Sequence, residues 1–239
     1  MDSLYIVMPA YNEEETIGEV VRSWYPMLTG KSPASRLIVA DSGSTDNTHM
    51  ILNELQKEYP QLEILDKTQK QHGPKLIALY DHAVKNKIDY IFQTDSDGQT
   101  CPEEFERFWK NRKKYDAIFG CRIKRGDGKM REFVERVVCI LLRIYFGVRI
   151  PDANAPFRLM RTETVKRYLY RLPSDYNLPN IMLTTYCTYY HDKVKFCPIT
   201  FKKRSGGVNS INFRKITRMG WHALSDFSRF RKEMNIRRK

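Results

Sequence analysis

The stretch YIFQTDSDGQTCPEE, Tyr90–Glu104, decides how the rest of the chain is read. Its first five residues form a short apolar run of the kind that makes a strand buried on both faces. Asp95 and Asp97 follow, two positions apart. At a strand end, residues i and i+2 face the same side, so the two carboxylates can converge on one cation. Gln99 adds a neutral oxygen donor. Hard oxygen ligands suit Mg²⁺ or Mn²⁺, which also takes phosphate oxygens. The same residues also fit an Asp-Gly turn, or a cap for a helix beginning at Pro102. Alone, the stretch leaves both readings open.

Upstream, LYIVM (Leu4–Met8), RLIVAD (Arg36–Asp41) and LEIL (Leu62–Leu65) read as strands, and DAIFG (Asp116–Gly120) follows downstream. Helical spacing separates them: Ile17, Val20, Val21 and Trp24 mark one helix, another runs to about Tyr59, and a third covers about Pro74 to Lys87. Strands alternating with single helices predict an α/β fold, with a mostly parallel central sheet and helices on both faces. Ligands of such sheets bind beyond the carboxyl ends of the strands. The segments Pro9–Glu13, Asp41–Ser44 and Asp95–Asp97 would therefore share one edge. Asp41 ends an apolar strand, as an acid does when it receives a ribose hydroxyl or base amide. Asp46 or Thr45 reads as a helix cap. No glycine-rich phosphate or dinucleotide fingerprint is present.

The second half is less regular. A basic loop (Arg122–Arg131) precedes an amphipathic helix from about Glu132 to Phe146. APFRLMR (Ala155–Arg161) reads as a short strand, a helix spans about Leu178 to Tyr190, and KVKFCPITFKKR is a strand leading to Gly206 and Gly207. A last amphipathic helix is expected over about Phe213 to Lys232. The apolar run VVCILLRIYFGV (Val137–Val148) is too short to span a bilayer, though it could lie on one.

The chain of 239 residues has 41 basic and 28 acidic side chains. Twelve of the basic ones fall between Lys202 and Lys239, against only Asp226 and Glu233. That excess predicts an anionic partner. Acids at the strand ends would repel a nucleic-acid backbone, so nucleic acid is not the partner expected. Five scattered cysteines without metal or redox spacing fit a reducing compartment. The chain enters a strand at once, so no signal peptide is expected. Together these predict a cytoplasmic protein, peripheral at the cytoplasmic face of a membrane.

Taken in order, MPAYNEEETI, LIVADSGSTDNT and YIFQTDSDGQTCPEE resemble the family 2 glycosyltransferases, which have the nucleotide-sugar-binding GT-A fold. The resemblance covers at least residues 4–120. The spacing Asp95-x-Asp97-x-Gln99 and the later DANAPFRLMR look most like the dolichyl- and polyprenyl-phosphate sugar transferases. It implies a GT-A domain over 1–200, with a nucleotide-binding half to about 121 and an acceptor half from 122, then a basic lid loop and helix over 201–239.

Residue by residue, the resemblance assigns Pro9, Tyr11, Glu13, Asp41, Lys75 and Asp95 to the nucleotide. Asp95, Asp97 and Gln99 would hold the Mg²⁺ or Mn²⁺. Arg122, Arg131, Arg158, Lys203 and Arg204 would meet diphosphate or acceptor phosphate, since guanidinium forks suit phosphate oxygens. Asp97, Arg131 and Asp152 are expected at the reacting centre, Asp152 as the best local general base. The implied reaction is inverting transfer from a UDP- or GDP-linked sugar to a polyprenyl phosphate, with a saccharide or lipid-linked oligosaccharide as the alternative acceptor. The apolar helix after residue 130 would meet an anionic membrane surface, the protein core or, in a homo-oligomer, another subunit.

Overall fold

The computed structural model describes residues 1–125, 128–203 and 224–234. Seven strands form one sheet: β1 (Leu4–Ala10), β2 (Arg36–Asp41), β3 (Leu62–Leu65), β4 (Tyr90–Thr94), β5 (Ala117–Arg125), β6 (Phe157–Arg161) and β7 (Val194–Phe201). Their order is β3-β2-β1-β4-β6-β5-β7. Pairing is parallel throughout except at β6, which runs antiparallel to both β4 and β5. The sheet is thus mostly parallel, as the alternation predicts, but mixed. β6 enters from the edge at which its neighbours end, so the residues just before it join the strand-end loops.

β1 is buried at every position because both faces are covered. Tyr5 and Val7 face a core with α3 (His72–Lys85), α5 (Lys129–Phe146), α6 (Thr162–Leu169), α7 (Pro179–Tyr189) and α8, residues 224–234. Leu4, Ile6 and Met8 face a second core with α1 (Ile17–Trp24), α2 (Thr48–Glu58) and α4 (Phe105–Asn111). This period of two on a strand with no polar face is what a doubly covered parallel sheet requires.

Several boundaries differ from expectation; α5, for one, starts at Lys129 rather than about Glu132. Residues 122–125, expected in a basic loop, continue β5, because β7 lies alongside and supplies backbone partners; a register shift between Arg122 and Lys124 relieves the pairing. α6 is an addition: TETVKRYL follows β6 directly, and its apolar spacing is short. α3 starts two residues ahead of Pro74. Most of the expected lid loop, including Arg204, Gly206 and Gly207, lies outside the described residues, and so does the start of the last expected helix.

Candidate functional site

The carboxyl ends of β1, β2 and β4 meet as adjacent rungs. Ala10 pairs with Asp41, and Val7 with Gln93. Loop hydrogen bonds lock the three ends together. Ser96 donates its hydroxyl to the Pro9 carbonyl at 2.8 Å, and Thr16 donates to the Ser96 carbonyl at 3.2 Å and to the Glu13 carboxylate at 3.1 Å. The Glu13 N–H donates to the Thr48 hydroxyl at 2.8 Å. Asn12, at φ 53°, accepts the Thr45 N–H at 2.8 Å. Asp46 lies one residue before Asn47, the N-cap of α2, so it is not the cap expected of it; it accepts the Thr48 N–H at 3.0 Å and the Glu14 N–H at 3.1 Å.

Asp41 is buried. It accepts the Ser44 hydroxyl at 2.5 Å and lies 3.2 Å from His49 Nδ1. Lys75, in the first turn of α3, is 1% exposed rather than the solvent-facing lysine that its position allows. Its ammonium donates to the Ala10 carbonyl and lies 5.4 Å from the centre of the Tyr11 ring. Burial pulls its pKa down to about 8, against the attraction of Asp41 and with the repulsion of Lys70. Lys70 stands 4.8 Å from the same ring. Tyr11, Asp41 and Lys75 are thus assembled into one cluster, with Lys70 and His49 beside them. No motif in the sequence marked those last two.

Asp95 and Asp97 are half-buried beyond β4. Asp95 accepts the Gln93 amide at 3.1 Å; Gln93 accepts the Asn180 amide at 3.1 Å; Asn180 accepts the Tyr80 hydroxyl at 2.8 Å. This buried chain ties the acidic loop to α7 and α3. Asp97 accepts the Gln99 N–H at 3.1 Å, and Gly98, at φ 72°, makes the turn. Gln99 donates its side-chain amide to the Lys202 carbonyl at 2.8 Å, and its own carbonyl accepts the Lys202 N–H at 2.8 Å. Its amide oxygen is the atom that a cation beside Asp95 and Asp97 would take. Among the described residues no group of three His, Cys, Asp or Glu side chains could hold a metal. The oxygen donors fit Mg²⁺ or Mn²⁺ only as a partial shell, which phosphate or water oxygens would have to complete. The Gln99–Lys202 bonds also place the root of the basic loop, with exposed Lys203, against the acidic motif.

Arg122 and Asp152 form a two-pronged ion pair, Nε to Oδ2 and Nη2 to Oδ1, both at 2.8 Å. Their side chains are 6% and 3% exposed. Glu135 of α5 lies 3.4 Å from the same guanidinium and accepts the Ala153 N–H at 2.8 Å. The general-base expectation for Asp152 therefore meets a carboxylate already committed to an arginine. Arg158 departs further from its expected phosphate role. It is fully buried, donates to the carbonyls of Ala153, Ala155 and Asn180 and to the Thr184 hydroxyl, and stacks 4.6 Å from Phe119. The strand pattern of FRLMR shows an arginine but not its direction; β6, paired on both sides, turns it inward. Arg131 is half-buried in the first turn of α5.

A seven-stranded, mostly parallel α/β sheet of the GT-A type thus gathers Tyr11, Asp41, Lys75, Asp95 and Asp97 at its carboxyl edge. The model of the family "Glycosyl transferase family 2" matches residues 5–169, and the chain belongs to that family of glycosyltransferases. Undecaprenyl-phosphate mannosyltransferase of Micrococcus luteus is 25% identical over 241 residues, covering 91% of this chain and 96% of that protein. Undecaprenyl-phosphate 4-deoxy-4-formamido-L-arabinose transferase of Shewanella sediminis is 28% identical over 174 residues, 71% of this chain; the match spans about half (51%) of that relative. Among solved structures, glucosyl-3-phosphoglycerate synthase of Mycobacterium tuberculosis with Mn²⁺, UDP-glucose and phosphoglyceric acid superposes with a TM-score of 0.70 at 19% identity, covering 96% of this chain and 79% of that one. The same enzyme with Mg²⁺ and UDP gives 0.65 at 19%, covering 87% and 72%.

Proposed function

We propose that this glycosyltransferase moves a sugar from a nucleoside-diphosphate sugar to a polyprenyl phosphate with inversion at the anomeric carbon. The observation that carries the reading is the shared edge on which Tyr11, Asp41 and Lys75 stand beside Asp95, Asp97 and Gln99. Tyr11 and Asp41 would seat the nucleoside, and Lys75 would face its phosphates. Asp95, Asp97 and Gln99 would hold a Mg²⁺ or Mn²⁺, which supplies charge neutralisation for a departing nucleoside diphosphate. The donor half would be residues 1–121 and the acceptor half 122–200, with residues 201–239 closing over them through Lys203 and Arg204.

In the reaction, an acceptor phosphate oxygen forms the new bond to the anomeric carbon. The bond from that carbon to the diphosphate oxygen breaks, and the nucleoside diphosphate leaves with the electron pair. A hydroxyl acceptor needs a general base. A phosphate is already anionic and needs none. The commitment of Asp152 to Arg122 favours the phosphate, and the names of the two bacterial relatives point the same way. Mn²⁺ and UDP-glucose bound by the structural neighbour support a metal and a UDP-linked donor.

The test is transfer from a panel of UDP- and GDP-sugars with Mn²⁺, with and without polyprenyl phosphate. The expected result is a product on polyprenyl phosphate and a loss of at least about a hundredfold in Asp97→Ala. Stimulation by a soluble saccharide alone, or full activity of Asp97→Ala, overturns the reading.

A further inference from the structure

α5 is buried on one side only. Leu142 and Phe146 enter the core, and Val138, Cys139, Leu141 and Tyr145 pack against it. On the opposite side Met130, Phe133, Val137, Ile140 and Ile144 are 37–65% exposed. Their spacing of three and four residues lays them in one stripe along the helix, about 21 Å long. Five large apolar side chains in one line form a contiguous patch, which a solvated helix does not maintain without an occupant.

Two occupants suit such a stripe, and charge separates them. Arg136 and Arg143 border it on the same side, seven residues apart, and both are exposed. Arg136 is paired with Glu132, four residues before it; Arg149, exposed just past the helix, adds a third positive charge. From Lys129 to Arg149 there are five basic residues against two acids. An antiparallel pairing of two copies through the stripe would set Arg136 and Arg143 of the two chains against each other, and like charges across a helix seam disfavour it. An anionic lipid surface meets the same arginines favourably, while the apolar stripe enters the acyl boundary. Among the described residues no helix is long and apolar enough to cross a membrane, so this contact would lie in the plane of the interface.

We infer that the outer face of α5, centred on Phe133, Val137 and Ile140, is the surface by which this chain docks on an anionic bilayer. The inference rests on the polyprenyl-phosphate reading only for its purpose, delivering the acceptor site to the lipid that carries the phosphate. The link is Glu135, on the inner face of α5, which holds the Ala153 N–H and neighbours the Arg122–Asp152 pair. The helix that meets the bilayer is therefore bonded to the loop at the acceptor side of the site.

The experiment is co-sedimentation of the full chain with vesicles of phosphatidylcholine alone or with 30% phosphatidylglycerol (about one anionic lipid in three), neither containing polyprenyl phosphate. Binding is expected to the anionic vesicles, weakening as salt is raised. Phe133→Ser with Ile140→Ser should weaken it at least about tenfold, and Arg143→Gln about fivefold. Donor hydrolysis without vesicles should be unchanged in both variants, which reports that they fold. Vesicle binding insensitive to both variants overturns the inference. So does a wild-type dimer that ignores vesicles and dissociates in Phe133→Ser with Ile140→Ser. If vesicle docking fails while detergent-dispersed polyprenyl phosphate is still glycosylated, only the docking surface is wrong. If docking holds and that lipid is never glycosylated, only the acceptor reading is wrong.

Discussion

Replacing Asp152 by Asn separates a structural carboxylate from a catalytic one. Among the described residues, the Asp152 carboxylate accepts two hydrogen bonds from the Arg122 guanidinium at 2.8 Å, one from the Arg122 N–H at 3.1 Å and one from the Asn154 N–H at 3.2 Å. Asn keeps the shape, removes the charge and turns an NH₂ toward one of those donors. Breaking one side of a buried pair costs about 3–5 kcal/mol, and Glu135 remains near the guanidinium, which favours the lower figure, about 3 kcal/mol. For a chain of this size that lowers Tm by about 6–12 °C. Arg122→Met should cost a similar amount, and the double variant less than the sum, with a coupling of about 2 kcal/mol or more. Urea and thermal denaturation of the four proteins measure it. Below the melting range, transfer by Asp152→Asn should fall about tenfold, mainly through the KM for the acceptor, since Arg122 is displaced rather than lost. Additive stability effects would refute the pair as the organising contact. A drop in kcat of about 10³ or more, with stability unchanged, would restore Asp152 as a general base.

Two further outcomes follow from the same geometry. Burial lowers the Lys75 pKa to about 8, and a bound diphosphate favours the ammonium; nucleoside-diphosphate binding should therefore take up as much as about one proton above pH 8, and affinity should fall as pH rises through that value, read by calorimetry in buffers of different ionisation enthalpy. No proton uptake, or affinity flat from pH 7 to about 9.5, would count against Lys75 at the phosphates. Gly73→Ala should destabilise although alanine is the better helix former by about 1 kcal/mol, because its Cβ would lie 2.4 Å from the Tyr176 carbonyl oxygen and 2.5 Å from the Asn177 Cα. A net loss of about 1–3 kcal/mol is expected in denaturation, and a raised Tm would show that the 176–177 segment yields.

The sequence by itself determined the strand–helix alternation, the edge on which Pro9–Glu13, Asp41 and Asp95–Asp97 meet, and the family. Those depend on period and order along the chain, which local residues carry: an apolar run buried on both faces, then polar residues where the strand must end. It could not give the direction of side chains whose partners lie far away in sequence. Arg158 reads as a phosphate ligand until β4 and β5 flank β6 and the carbonyls of Ala153, Ala155 and Asn180 capture it. Lys75, which the resemblance assigns to the nucleotide, could equally be an exposed first-turn lysine until the Ala10 carbonyl is brought to it from 65 residues away. The helix after residue 130 carries apolar residues for two faces, and only packing decided that Leu142 and Phe146 go inward while Phe133 and Ile140 stay out. The tertiary structure decided these points because a buried charge or an amphipathic face takes its role from whichever partner the fold sets against it.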